Sequence, residues 1–512
     1  MAVATYKLQV DWNDNGTSWT DTGEDIDMGR VRGINCFRGR DRASQLTGLS
    51  IGGRFSAQVD NRSGDYNSFN SSSPIAGNIV PGKPVRLLAT SASQSDQVIW
   101  QGHLSRVRPR PISGGDNVVR LEGHGPLSQI NVHTMSLAMR TSETTNVTIG
   151  AILDEIGWPT GLRTLGTGQT TITRYTADRK FPVTAIRELA AAENGFIWEG
   201  NDGKINFDNR HARLVGAALV SQATFSDASG AARPYKAIEQ LDPLDSLFNI
   251  FSAAVTIFSV ASIATLWTLT QVGTASVAIA PGESFTWWSS YPTPGTATDG
   301  AWGVDAWTTP AATTDYTFNS AAGGGGTNIT GSMGLAATKF GNAMKLVFTN
   351  NHASLTAYVQ TLQARGTAIT SGDPITIREE DTTSQTTYNT EREWPAKTEY
   401  IPTTQEAYDW AKFNLSIYKD PIPMLRMTID ANRDQNMLDE MIDREIGDRV
   451  TVVAQNTADL DINRDFFVEA IEHDIRSDRY HQVRYLLSDA EQFSDWWVWG
   501  TSKWGTTTRW AY

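Results

Sequence analysis

The sequence predicts a mainly β protein with an α+β part. Short runs alternating apolar and polar residues recur near both ends of the chain, and Asn-Gly, Gly-Gly and Pro-Gly signals punctuate them. Helical spacing is confined to a few segments. The length, 512 residues, is that of three to four domains with ample buried cores. Seventeen Trp, fourteen Tyr and eighteen Phe supply apolar bulk that a disordered chain would lack.

Residues 1–125 read as β throughout, with runs such as Tyr6 to Val10, Val85 to Ala89 and Val118 to Leu121; a barrel or sandwich is the natural outcome. Residues 126–215 change character and form a small α+β unit. Ile149, Ile152, Leu153 and Ile156 share one helical face, with Asn146 or Thr148 as cap. A second helix follows Pro182, with Ile186, Leu189 and Ala190 on a face and Gly195 as its stop. Phe196 to Phe207 then reads as a hairpin with Asn201-Asp202-Gly203 at its tip. Residues 247–365 are rich in Thr, Ala, Ser and Gly with little helical period, which predicts an inserted β-sandwich. Beyond it, Ala407, Trp410, Ala411 and Leu415 mark one helix, and Met437, Leu438, Met441 and Ile442 another that closes at Gly447. Arg449 to Val453, Phe466 to Ile475 and His481 to Leu487 return to strand. Residues 491–512 form a Trp-rich tail, too short for a core of its own.

The formal net charge is -13, from 43 Lys plus Arg against 56 Asp plus Glu. That balance argues against a dedicated nucleic-acid binder, whose affinity comes from cations neutralising phosphates, while leaving room for DNA in transit. With Cys36 as the sole cysteine, neither an intrachain disulfide nor a cysteine zinc cluster can form. The first residues lack the basic and apolar regions of a signal peptide. Ser246 to Gly282 carries no charge, yet its Ser and Thr content reads as strands rather than a membrane span, so no stable membrane insertion is expected.

The candidate chemical sites are sparse. Gly77 to Pro84 has phosphate-loop spacing, but Pro84 replaces the magnesium-holding hydroxyl and a strand follows, so a Pro-Gly turn is the better reading. Asp11, Asn13 and Asn15, with Gly16, match the opening of a calcium loop; Thr22 stands where a bidentate Glu belongs, and an Asn-Gly turn is preferred. Glu469, Glu472, His473 and His481 lie on the last hairpin. Strand alternation puts Glu469, Ile471 and His473 on one face and Glu472 on the other, so a structural role is expected. No His-x-x-x-His spacing occurs, and the chain reads as a non-enzyme without cofactor. Trp287, Trp288, Trp302 and Trp307 are candidates for stacking on sugar, beside the commoner roles of core or interface. Trp496, Trp497, Trp499, Trp504 and Trp510 are expected to dock on another chain, since five exposed indoles would promote aggregation.

Several stretches together resemble the hub (tail-tip or baseplate hub) proteins of long-tailed bacteriophages, the siphophage-type minor tail proteins. They include Val10 to Gly16, Gly23 to Ile26, Arg38-Gly39-Arg40-Asp41, Val59 to Tyr66, Ser72 to Arg86 and Trp100 to Leu104. Ile446 to Val452 followed by Phe467 to Ile475 is similar to the family's closing hairpin, and Gly500 to Gly505 to its tail, with Trp where the family has Leu. The resemblance spans most of the chain outside the insert.

It implies two tail-tube-like β-barrel domains, 1–125 and 216–246 plus 366–490, flanking the α+β unit and the insert. It also implies a homotrimer that caps the tail tube at the distal end of the virion and forms part of the DNA-ejection channel. The implied partners are the tail-tube or distal-tail ring, the tape-measure protein and receptor-binding or tail-tip proteins, with synthesis in the host cytoplasm. An acidic balance suits a ring through which DNA slides. The alternative is a host-surface glycan-binding tail module acting through the Trp-bearing insert.

Overall fold

The computed structural model describes residues 5–13, 25–26, 28–40, 51–111, 117–241, 243–292, 301–396, 398–456, 460–476 and 480–493. The mainly β class holds, with a few helices and several sheets. In place of two separate barrels, the two outer β regions share one 13-stranded sheet, and no strand pairing closes it into a barrel among the described residues. From one edge the path runs through Ala237–Leu241, Met424–Asp430, His481–Asp489 and Ile462–Arg476. It crosses to Val31–Gly39 and continues through Ile51–Asp60, Val118–His124, Gln97–Arg110, Pro84–Thr90, Thr5–Val10 and Asp25–Ile26. Ala223–Ser226 lies parallel to Arg449–Ala454, which pairs with Ile462–Arg476.

The seam between the halves is antiparallel, with His473 opposite Cys36 and Ala470 opposite Gly39. One hydrophobic core spans it, gathering Leu8, Phe55, Trp100 and Leu121 from the first half and Met427, Val450, Ile471 and Tyr485 from the second. The helix Gln435–Asp443 covers part of this core with Met437, Leu438, Met441 and Ile442, the four residues of its apolar face. Asp434 caps it by accepting from the Met437 N–H at 3.0 Å.

A second core belongs to the α+β unit. The helices Thr145–Glu155 and Pro182–Glu193 pack over the hairpin Phe196–Glu199 and Ile205–Asp208, to which Arg163–Leu165 adds a parallel strand. Asn194, not Gly195, takes the left-handed conformation that ends the second helix (φ 54°). Gly195 is instead required by contact: a Cβ there would lie 2.6 Å from the Phe207 ring and 2.9 Å from the Asp208 carbonyl.

This unit is completed by distant chain. Ile250–Val255, expected in the insert, pairs with Ile375–Glu380 and Glu393–Pro395 and packs beneath the helix Thr404–Tyr418. Phe251, Ala253 and Val255 join Trp410, Ala407 and Ala411 in the second core, which accounts for the uncharged run at 250–255. The insert therefore occupies 258–371 rather than 247–365.

Within it, Ser284–Ser290, Ala343–Asn350 and Met333–Lys339 form one sheet, and the long strand Ala357–Ser371 organises the other. Trp287, Leu346 and Phe348 from the first sheet meet Val304, Phe318, Val359 and Leu362 from the second, so the insert is a β-sandwich. Among the described residues no helix is long and apolar enough to cross a membrane.

Candidate functional site

The densest polar chemistry lies where the seam of the large sheet meets the α+β unit. Gly39 sits in a region of backbone space that favours glycine (φ 114°), and a Cβ there would fall 2.4 Å from the Glu469 carbonyl and 2.5 Å from the Ala470 Cα. The close approach lets the Arg40 N–H donate to the Glu469 carbonyl at 2.9 Å. Arg38 and Arg40, either side of Gly39, both reach the C-terminal half. Arg38 is buried and forms an ion pair with Glu445, and burial lowers its pKa to about 10. Glu445 also accepts from the Asn201 N–H at 3.1 Å, tying in the α+β hairpin.

Strand alternation misplaces Glu469. A register shift between Val468 and Ala470 marks a β-bulge, so Val468 and Ile471 both face the main core while Glu469 turns to the opposite side. There its fully buried carboxylate accepts from Arg213 Nη1 at 2.8 Å and Nη2 at 3.0 Å, from Arg40 Nε at 2.5 Å, and from the Ser488 hydroxyl. Burial alone would raise its pKa, but the Arg213 and Arg40 guanidiniums hold it well below the usual carboxylate range. Both guanidiniums also cover aromatic rings, Arg40 at 4.0 Å from the Phe196 centroid and Arg213 at 4.7 Å from that of Phe467. A cavity of about 120 Å³ adjoins this cluster, lined among others by Asn194, Asp208, Tyr418 and Phe493.

Glu199 makes a second clasp. Its buried carboxylate accepts from the Gly53 N–H of the first β region and from the Leu127 N–H at 2.7 Å. Burial raises its pKa to about 7 against the pull of those two N–H groups. A Cβ on Gly125 would lie 2.2 Å from one of its oxygens. His473 and His481 form a third buried group: His473 Nδ1 lies 3.1 Å from His481 Nε2, and His481 Nδ1 lies 2.8 Å from the Tyr6 hydroxyl. Burial holds both imidazoles neutral, lowering the pKa of His481 to about 3. Glu469 and His473 thus sit on opposite faces, and Glu472 pairs with Arg484 on the outer face at 3.2 Å.

The other sequence candidates fall as follows. Gly77 to Lys83 is a turn leading into the strand Pro84–Thr90, the Pro-Gly reading. Asp11 is buried, and Asn13 accepts from Asn78 Nδ2 at 3.1 Å; Asn15 lies outside the described residues. No group of three or more His, Cys, Asp or Glu suited to a metal occurs among the described residues. The four insert tryptophans do not share a face. Trp287 and Trp307 are buried in the sandwich core, where neither ring can stack on a sugar. Trp302 is half-buried against Phe258 at 4.6 Å, and Trp288 alone is well exposed, stacked on Phe340. Trp496, Trp497, Trp499, Trp504 and Trp510 lie outside the described residues.

One surface was not singled out from the sequence. Arg106, Arg108 and Arg110 project from the outer face of Gln97–Arg110, opposite the inward Val107. Arg120 and Glu122 project beside them from Val118–His124, and Arg54 from Ile51–Asp60. Glu122 lies 3.9, 3.7 and 3.3 Å from Arg106, Arg108 and Arg120. The signal was legible: Arg-Val-Arg-Pro-Arg alternates with the period of a strand.

In fold, this chain is similar to solved tail proteins. The tail protein from Neisseria meningitidis aligns over 96% of this chain and 98% of its own, with a TM-score of 0.52 at 9% identity. The 43 kDa tail protein of prophage MuSo2 from Shewanella oneidensis aligns over 95% and 99%, with a TM-score of 0.50 at 9% identity. No protein-family model matches the sequence, and no curated protein matches it.

Proposed function

We propose that this chain is a structural protein of a bacteriophage tail, the hub that caps the tail tube at its distal end and joins it to tip or receptor-binding proteins. The observation that carries this reading is the fold shared with two tail proteins over nearly the full length of each. The internal construction supports it. Hub-like stretches far apart in sequence, Arg38 to Arg40 and the segments beginning at Ile446 and Phe467, meet at one seam and are fastened there by buried ion pairs. Such joints tie the two halves of the sheet together, as a ring under load requires. In this reading three copies form the cap, the tail-tube or distal-tail ring and tape-measure protein are its neighbours, and genomic DNA passes through it.

The test is gold-labelled antibody against this chain on intact virions, viewed by electron microscopy. Label at the end of the tail opposite the head is expected. Particles without label, with the protein free or in cells, would overturn the proposal.

A further inference from the structure

The outer arginine face of the large sheet carries more positive charge than its internal partners offset. Arg108 and Arg120 stand directly opposite one another in neighbouring strands, a like-charge pairing that destabilises a sheet. Five arginines, at 54, 106, 108, 110 and 120, share this face with two carboxylates: Glu122, within ion-pair distance of three of them, and Asp60, which pairs with Arg32 and Arg62. The side chains of Arg106, Arg108 and Arg120 are 62%, 44% and 47% exposed, so the positive charge is presented to solvent. All this stands on a chain whose net charge is -13.

We propose that this face is a contact for the phosphate backbone of nucleic acid, weak and independent of base sequence. Alternate residues of a strand repeat about every 6.7 Å and neighbouring strands lie about 4.8 Å apart, so the arginines form a grid of guanidiniums able to engage successive phosphates. Beside Arg110 and Arg120 a hollow of about 290 Å³ is lined by Gln58, by Ser56, which accepts from Arg120 Nε at 3.1 Å, by Asn35, which donates to Glu472, and by the Asp474 carboxylate, so the phosphate contacts fall to the arginines rather than to the hollow. A protein partner fits less well. Protein interfaces are anchored by apolar or aromatic side chains, and none of the exposed large apolar residues described lies on these three strands. Nucleic-acid interfaces are polar and strongly positive, as this face is. The proposal does not depend on the placement of the chain in a tail.

The experiment is fluorescence anisotropy of a labelled short DNA duplex with the purified full-length protein across a salt series. Binding is expected at low salt. Its logarithm should fall against that of salt with a slope of about -2.7 to -4.5, as for three to five phosphate contacts. Arg108→Ala with Arg120→Ala should flatten the slope by about 2 and leave the melting temperature unchanged or slightly raised. Arg54→Ala with Arg110→Ala gives an independent second pair, and Arg187→Ala, exposed on the helix Pro182–Glu193, is the control expected to change nothing. Absence of binding at about 50 mM salt, an unaltered slope in both double variants, or equal competition by polyglutamate would each overturn the proposal.

Discussion

Replacing Glu469 by Gln keeps the shape of the side chain and removes its charge, which takes away the carboxylate that Arg40 and Arg213 share. The carboxylate is fully buried and takes three guanidinium hydrogen bonds between 2.5 and 3.0 Å. Breaking a buried ion cluster by removing one partner costs about 3–5 kcal/mol, because the remaining charges stay desolvated. For a unit of this size that corresponds to a fall in melting temperature on the order of 10 °C. Differential scanning calorimetry at neutral pH reads it directly. The sign of the pH dependence follows from a carboxylate whose folded pKa is depressed. Its stabilisation is present above the ordinary value of 4.5 and is lost as pH falls towards the folded value, so the gap between wild type and Glu469→Gln should narrow in acid. A rescue completes the argument: Arg40→Met and Arg213→Met added to Glu469→Leu should recover much of the loss. An unchanged melting temperature for Glu469→Gln at neutral pH would refute the claim that this cluster fastens the seam.

Three further outcomes follow from particular contacts. Gly39→Ala should cost several kcal/mol, because its Cβ meets backbone atoms of Glu469 and Ala470, whereas Gly82→Ala meets nothing within 4 Å and should cost only about 1–2 kcal/mol of backbone strain; parallel melts compare them. His473 and His481 are held neutral by burial, so the unfolded chain binds more protons below the ordinary value of 6.5 and stability should decline from there towards about pH 3; a variant with Gln at both positions should show a flatter decline in pH-dependent melting. In the sandwich, Trp287→Ala should cost about 3–5 kcal/mol and Trp288→Ala about 1 kcal/mol or less, read by urea denaturation followed by tryptophan fluorescence.

Local structure was legible where the residues themselves determine it. Met437, Leu438, Met441 and Ile442 announce a helix face, and Asn201-Asp202-Gly203 announces a hairpin tip, because both signals act over a few residues. The sandwich was visible in its composition and turns. What escaped was set at long range. Nothing near Val31–Gly39 indicates that its neighbour is Ile462–Arg476, so two separate barrels were expected where one sheet runs through. Nothing in the alternation of Phe467 to His473 reveals the extra residue that turns Glu469 to the other face. The insert boundary slipped because Ile250–Val255 is apolar on both sides, a pattern common to sandwich strands and to a strand buried beneath a helix.

The seam also orders events in time. Asn35 and Glu472, partners across it, are separated by 437 residues. At about 5–20 residues per second, a ribosome needs about 20–90 s to make the intervening chain. Throughout that interval the strand Val31–Gly39 has an open edge on the side its partner will occupy, and Arg38 and Arg40 await their carboxylates. A polypeptide cut short anywhere before the last hairpin cannot close this edge. Synthesis through the hairpin Ile462–Arg476 and His481–Asp489 is thereby written into the fold as a condition for closing the sheet, and products interrupted earlier are left with an unpaired strand edge of the kind that proteases and chaperones recognise.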